Sequence, residues 1–73
     1  MAVDDRVVQQ RIRSKVFPDV GVSTSDVDVE VKSGFVLLKG AIESIDLAGR
    51  LVTRVRRTPG VREVSARLVV LGK

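Results

Sequence analysis

From Val27 to Ile42 the chain alternates apolar and polar residues, reverses at Ser33-Gly34, and alternates again. Val27, Val29 and Val31 share one face of the first run, with Asp28, Glu30 and Lys32 on the other. A two-residue turn at Ser33-Gly34 sets Val31 opposite Val36, Val29 opposite Leu38, and Asp28 opposite Lys39. Apolar side chains then meet on one face and opposite charges on the other, which specifies the register of a β-hairpin. Gly34 supplies the positive φ that such a turn requires.

The flanking segments change period. Ahead of the hairpin, Val8, Ile12 and Val16 recur every four residues and predict an amphipathic helix, with Arg6, Gln10 and Arg13 on another face. Asp4-Asp5 offers it an N-cap, and Phe17-Pro18 is the expected stop, because the residue before proline is pushed away from the α region. Residues 19–25 read as a polar loop, with Val20 and Val22 tucked beneath the sheet. Beyond the hairpin, Ser44 caps a second helix reaching to about Thr58. Its apolar face comprises Ile45, Ala48, Leu51, Val52 and Val55; Arg50, Arg54 and Arg57 stand opposite, and Leu47 lies on the boundary. Gly49 costs this helix roughly 1 kcal/mol against alanine and is expected to mark close packing. Thr58-Pro59-Gly60 breaks the helix. The closing run returns to period two, with Val64, Ala66, Leu68 and Val70 facing one way and Ser65, Arg67, Val69 and Leu71 the other.

The order is therefore α-β-β-α-β. The economical fold is an α+β two-layer sandwich, two helices on one face of a three-stranded mixed sheet. Seventy-three residues, read as one domain over residues 1–73, suffice for a single modest core. No apolar run approaches the ~20 residues of a bilayer span. Met-Ala-Val-Asp-Asp lacks the basic start of a secretory signal, so the sequence reads as cytoplasmic, or as an envelope domain excised from a longer chain.

The segment V-x-V-K-S-G-F-V-x-L-K-G-x-I from Val29 to Ile42, and P-G-V-R-E-V-S-A-R-L-V-V from Pro59 to Val70, together resemble the BON (bacterial OsmY and nodulation) domain family. The first helix also fits that pattern. Ala66 and Thr58 depart from it, where many members carry asparagine and an apolar residue. The resemblance implies the same sandwich and no catalysis. It also implies a link to phospholipid binding and protein association in bacterial envelope or osmotic stress settings. It transfers no set of ligand residues.

The chemistry points the same way. Without cysteine or histidine there is no thiolate, imidazole base or usual zinc site, so no metal or cofactor is expected. The net charge of +4 favours anionic partners. Nucleic acid is disfavoured: no two glycines stand three apart, as a Gly-x-x-Gly loop needs, and two phenylalanines make a poor stacking platform. Two surfaces remain. Arg50, Arg54 and Arg57, with Leu47 beside them and Arg6 and Arg13 added if the helices pack side by side, form a candidate site for an anionic phospholipid surface. The plainer reading is a solvated helix face. Phe35, Leu37, Val69 and Leu71 point away from the helices and form a candidate surface for self-association or a protein partner. Gly34, Gly40 and Gly60 are read as structural, the first and last for turns and Gly40 for packing of a helix on the strand.

Overall fold

The computed structural model describes residues 4–72, so Met1–Val3 and Lys73 of the expected domain lie outside the described residues. A first helical segment opens with α1 (Asp5–Arg11), passes through a π-helical turn (Ile12–Val16), and closes with α2 (Phe17–Val20). The hairpin β1 (Val27–Lys32) and β2 (Phe35–Ile42) follows, then α3 (Ile45–Arg56) and β3 (Glu63–Val70). The sheet order is β1-β2-β3, with β1 antiparallel and β3 parallel to the central β2. This is the predicted α+β sandwich.

The expected helix stop at Phe17-Pro18 does not occur. A proline ring within an α-helix collides with the carbonyl four residues back and leaves it without a donor. Just ahead of Pro18 the ladder widens to five-residue spacing, with Phe17 N–H donating to Ile12 O, and this opens the helix where the ring must fit. The helix runs on to Val20 and ends at Gly21 (φ 87°), whose N–H donates to Phe17 O at 2.9 Å. The wider turn also aligns Phe17 with Ile12. Both are fully buried, and Phe17 heads the core side chains by size.

The hairpin has the predicted register, Val31 with Val36, Val29 with Leu38 and Asp28 with Lys39. Ser33 and Gly34 both take positive φ, 52° and 83°, as a hairpin turn of this hand requires. The Asp5 carboxylate grips the turn, accepting from Ser33 N–H at 2.8 Å and Gly34 N–H at 3.3 Å. Gly60 (φ 95°) serves the turn before β3. Gly40 does something other than expected. Its φ is 146°, and a Cβ there would collide with Asp26 O and stand 2.8 Å from Val27 Cα. What needs the glycine is backbone entering β1, not a helix.

The helices cover the sheet unevenly. Val27, Val29, Val36, Leu38 and Ile42 are buried beneath Val8, Ile12, Phe17, Leu51 and Val55. On β3, Val64 and Leu68 are only half-buried, while Ala66 and Val70 are exposed. α3 is rotated from the predicted setting. Leu47 joins Leu51 and Val55 against the core, whereas Ile45, expected to face inward, is 74% exposed. Gly49 is exposed, and beyond its chain neighbours and the backbone of its own helix no described atom lies within 4 Å of a notional Cβ, so it marks no close packing.

These placements order three stability changes measurable by urea denaturation. Gly40→Ala loses about 3 kcal/mol or more, because a β-carbon meets backbone that cannot step aside. Asp5→Ala loses about 1–2 kcal/mol through two unmet turn amides. Gly49→Ala gains roughly 0.5–1 kcal/mol, since only the helix propensity changes.

Candidate functional site

Ser44 starts α3, its Oγ accepting from Leu47 N–H at 3.1 Å, and packing of Leu47, Leu51 and Val55 on the core leaves Arg50, Arg54 and Arg57 facing outward. The first helical segment lies alongside. Asp19 and Val20 border Gly49, Arg50 and Arg54, while Arg11 and Lys15 border Arg54, Arg57 and Thr58, so the two helices run antiparallel. Between them runs an open groove. It consists of two depressions that meet at Arg54 and Asp19, one holding Arg50 and the other Arg11, Lys15 and Arg57, so that among the described residues five cations border it against the single acid Asp19.

Arg54 Nη2 donates to Asp19 Oδ2 at 2.8 Å, an ion pair with both side chains largely in water. Thr58, buried at the C-terminal end of α3, donates through Oγ1 to Arg54 O at 3.1 Å and holds the turn that follows. Val16 and Pro59 form the apolar floor between Lys15 and Arg57. Guanidinium and ammonium groups ringing a shallow apolar floor can take several oxyanions at once.

Arg50, Arg54 and Arg57 are thus brought together as expected, but two of their companions differ. Arg13 lies on the far side of the first helix with Gln9, beside Asp28, Glu30 and Lys39 of the hairpin. Leu47 packs against the core and does not lie beside the arginines as an apolar flank. Arg11 and Lys15 take their place. Their four-residue spacing was visible in the sequence, yet which side of the Val8-Ile12-Val16 stripe faces α3 depends on how the helices dock.

The outer sheet face is divided. Phe35 (49% exposed) neighbours Lys32 and Glu63 in register, with half-buried Leu37 next to it and the Arg62 guanidinium 5.7 Å from its ring centroid. Val69 neighbours Ala41 at the opposite end, with Leu71 just beyond β3. The row Asp28-Lys39-Arg67 separates the two ends. The four residues expected to form one apolar surface therefore form two patches. Gly34, Gly40 and Gly60 lie in backbone turns and close approaches, outside both surfaces.

The BON domain match covers residues 4–72. The chain belongs to the BON domain family. Membership supports a non-catalytic module. Among solved structures, the BON chain is similar to CdsD, a structural protein of the type III secretion system of Chlamydia trachomatis. The TM-score is 0.81 at 20% sequence identity, covering 97% of this chain and 34% of that one. At that identity the likeness is one of fold, and the chain spans about a third of its neighbour's length. No curated protein matches the sequence.

The Arg54–Asp19 pair tunes the groove more than it stabilises the domain. Asp19→Asn should lower stability by no more than about 0.5 kcal/mol in urea denaturation, as for other solvated ion pairs. It should at the same time raise the affinity of the groove for an anionic dye, read by fluorescence titration.

Proposed function

We propose that this BON domain binds anionic phospholipid surfaces through the groove between its first helical segment and α3. The observation that carries the reading is the convergence of Arg11 and Lys15 with Arg50, Arg54 and Arg57 across two separate elements, with one acid among them. A solvated face on a single helix would not need cations from a second helix gathered onto it. Basic residues close to an anionic leaflet contribute about 1 kcal/mol each, so the four cations left after Asp19 offsets Arg54 give useful binding without insertion. The groove has no tryptophan and only a small apolar floor, which fits attachment at headgroup depth. Among the described residues no helix is long and apolar enough to cross a membrane, and the same surface attachment needs none. On this reading the domain works in a bacterial envelope or stress-related setting. The alternative of a protein-interaction module retains support from the exposed apolar ends of the sheet, and from a structural neighbour that is itself a structural protein of a type III secretion system.

Flotation with vesicles checks the membrane reading. The chain should float with phosphatidylglycerol-containing vesicles and not with neutral phosphatidylcholine. Raising salt from about 50 to 300 mM should release it, because screening shortens the Debye length. The double variant Arg11→Glu/Arg57→Glu should lose at least about tenfold in binding. Arg13→Glu, outside the groove, should bind within about threefold of the parent. Equal binding to both vesicle types, or loss through Arg13→Glu alone, counts against the groove.

A further inference from the structure

β3 is an edge strand, and Leu68, Val69, Val70 and Leu71 at its end present apolar side chains to both faces of the sheet. Leu71 N–H donates to Ile42 O at 2.8 Å, so the odd-numbered amides of this stretch face β2 while those of Leu68 and Val70 face outward from the sheet. Edge strands of soluble domains are ordinarily blunted by charge or cover. The opposite edge follows that rule: β1 sets Asp28 and Glu30 on its open face, with Gln9 and Arg13 of the first helix beside them. Among the described residues, the stretch from Leu68 to Leu71 carries no such guard. On the helix side, Ile45 (74% exposed), Val52 and Val70 (41%) border a groove that no charged residue lines. On the other face Val69 and Leu71 are 64% and 66% exposed.

We propose that β3 pairs antiparallel with β3 of a second copy of this chain, about a two-fold axis at Val69, joining two sheets into one of six strands. Self-complementarity identifies the occupant. In this register Leu68 lies opposite Val70 of the second copy and Val69 opposite Val69, and the outward amides of Leu68 and Val70 find partners. The two Arg67 side chains stand about 13 Å apart, four strand residues, which exceeds the Debye length of about 8 Å at physiological salt. The cations of the basic groove do not line the apolar groove beside β3, although the two meet at Gly49 and Thr53 of α3. Head-to-tail pairing of β3 on β1, in the register that matches Arg67 with Asp28 and Glu63 with Lys32, would set Val69 against Asp26 and leave Ile45 in water.

Ile45, Val69, Val70 and Leu71 together expose roughly 450 Å², so two copies hide at most about 900 Å², below the ~1,200 Å² where stable specific interfaces begin and in the range of weak, transient ones. The dimer is accordingly weak, and its association is read at high micromolar to millimolar chain concentrations. It stands independently of the membrane reading.

Sedimentation velocity across about 10 µM to 1 mM should show the mass rising from that of the 7.9 kDa chain towards twice that value. Ile45→Glu places an acid in the first turn of α3, where the helix dipole favours it, so the variant should keep its circular dichroism and urea midpoint yet stay monomeric. Val69→Cys introduces the sole thiol of a chain without cysteine. Across the axis the two Val69 form a non-hydrogen-bonded pair with Cα atoms about 4.5 Å apart, within disulfide range. In a glutathione buffer this variant should give covalent dimer at least about tenfold faster than Phe35→Cys, which is also exposed but lies at the other end of the face. A folded chain that stays monomeric at 1 mM overturns the proposal. So does an Ile45→Glu variant that dimerises like the parent, or equal cross-linking of the two cysteine variants.

Discussion

Gly34 ties three parts of this domain together through its backbone. Its N–H donates to the Asp5 carboxylate at the start of the first helix, and its carbonyl accepts from Arg62 N–H at 2.7 Å as the chain enters β3. Positive φ at Ser33 and Gly34 turns those groups outward, where a carboxylate and an incoming amide can reach them. At the other end of the hairpin, Gly40 lets the backbone of Asp26 and Val27 close in, and Ala41 N–H donates to Asp26 O at 3.1 Å. The hairpin is therefore pinned at turn and mouth. A slip of one residue would break both pins and turn the valines of β1 to solvent.

From that frame the two surfaces follow. The first helical segment is anchored at Asp5 and carried past Pro18 by its π turn, so it is long enough to lie along α3 as far as Arg50. The antiparallel approach brings Arg11 and Lys15 to the C-terminal end of α3, where cations also suit the helix dipole. The same two helices are too narrow a layer for three strands. They bury the inner faces of β1 and β2 and leave half of β3 uncovered. The basic groove is made by helix pairing, and the apolar edge by what helix pairing fails to reach.

One surface is charged and lies on the helix layer, and the other is neutral and lies at a sheet edge. Paired β3 strands would leave both grooves outside the interface, so a dimer would offer a membrane two basic sites. Linking two weak sites in one particle strengthens attachment without any new contact.

Period-two alternation, the Ser-Gly turn and four-residue apolar spacing carried the element order, the hairpin register and the family resemblance on sequence alone, since each rests on neighbours close in the chain. The three arginines of α3 were legible for the same reason. Docking decided the rest. Whether Arg11 or Arg13 faces α3, whether Leu47 or Ile45 is inside, and whether Phe35 and Val69 share a patch all depend on rotations and registers between distant elements. A helix stripe fixes which side chains are apolar but leaves tens of degrees of freedom in how it sits. Parallel pairing of β3 on β2 put Phe35 beside Glu63 and Ala41 beside Val69, dividing a face that alternation alone drew as continuous. Pro18 shows the limit from the other side: the local rule predicted a stop, and burial of Phe17 in the core favoured a widened turn that carried the helix through.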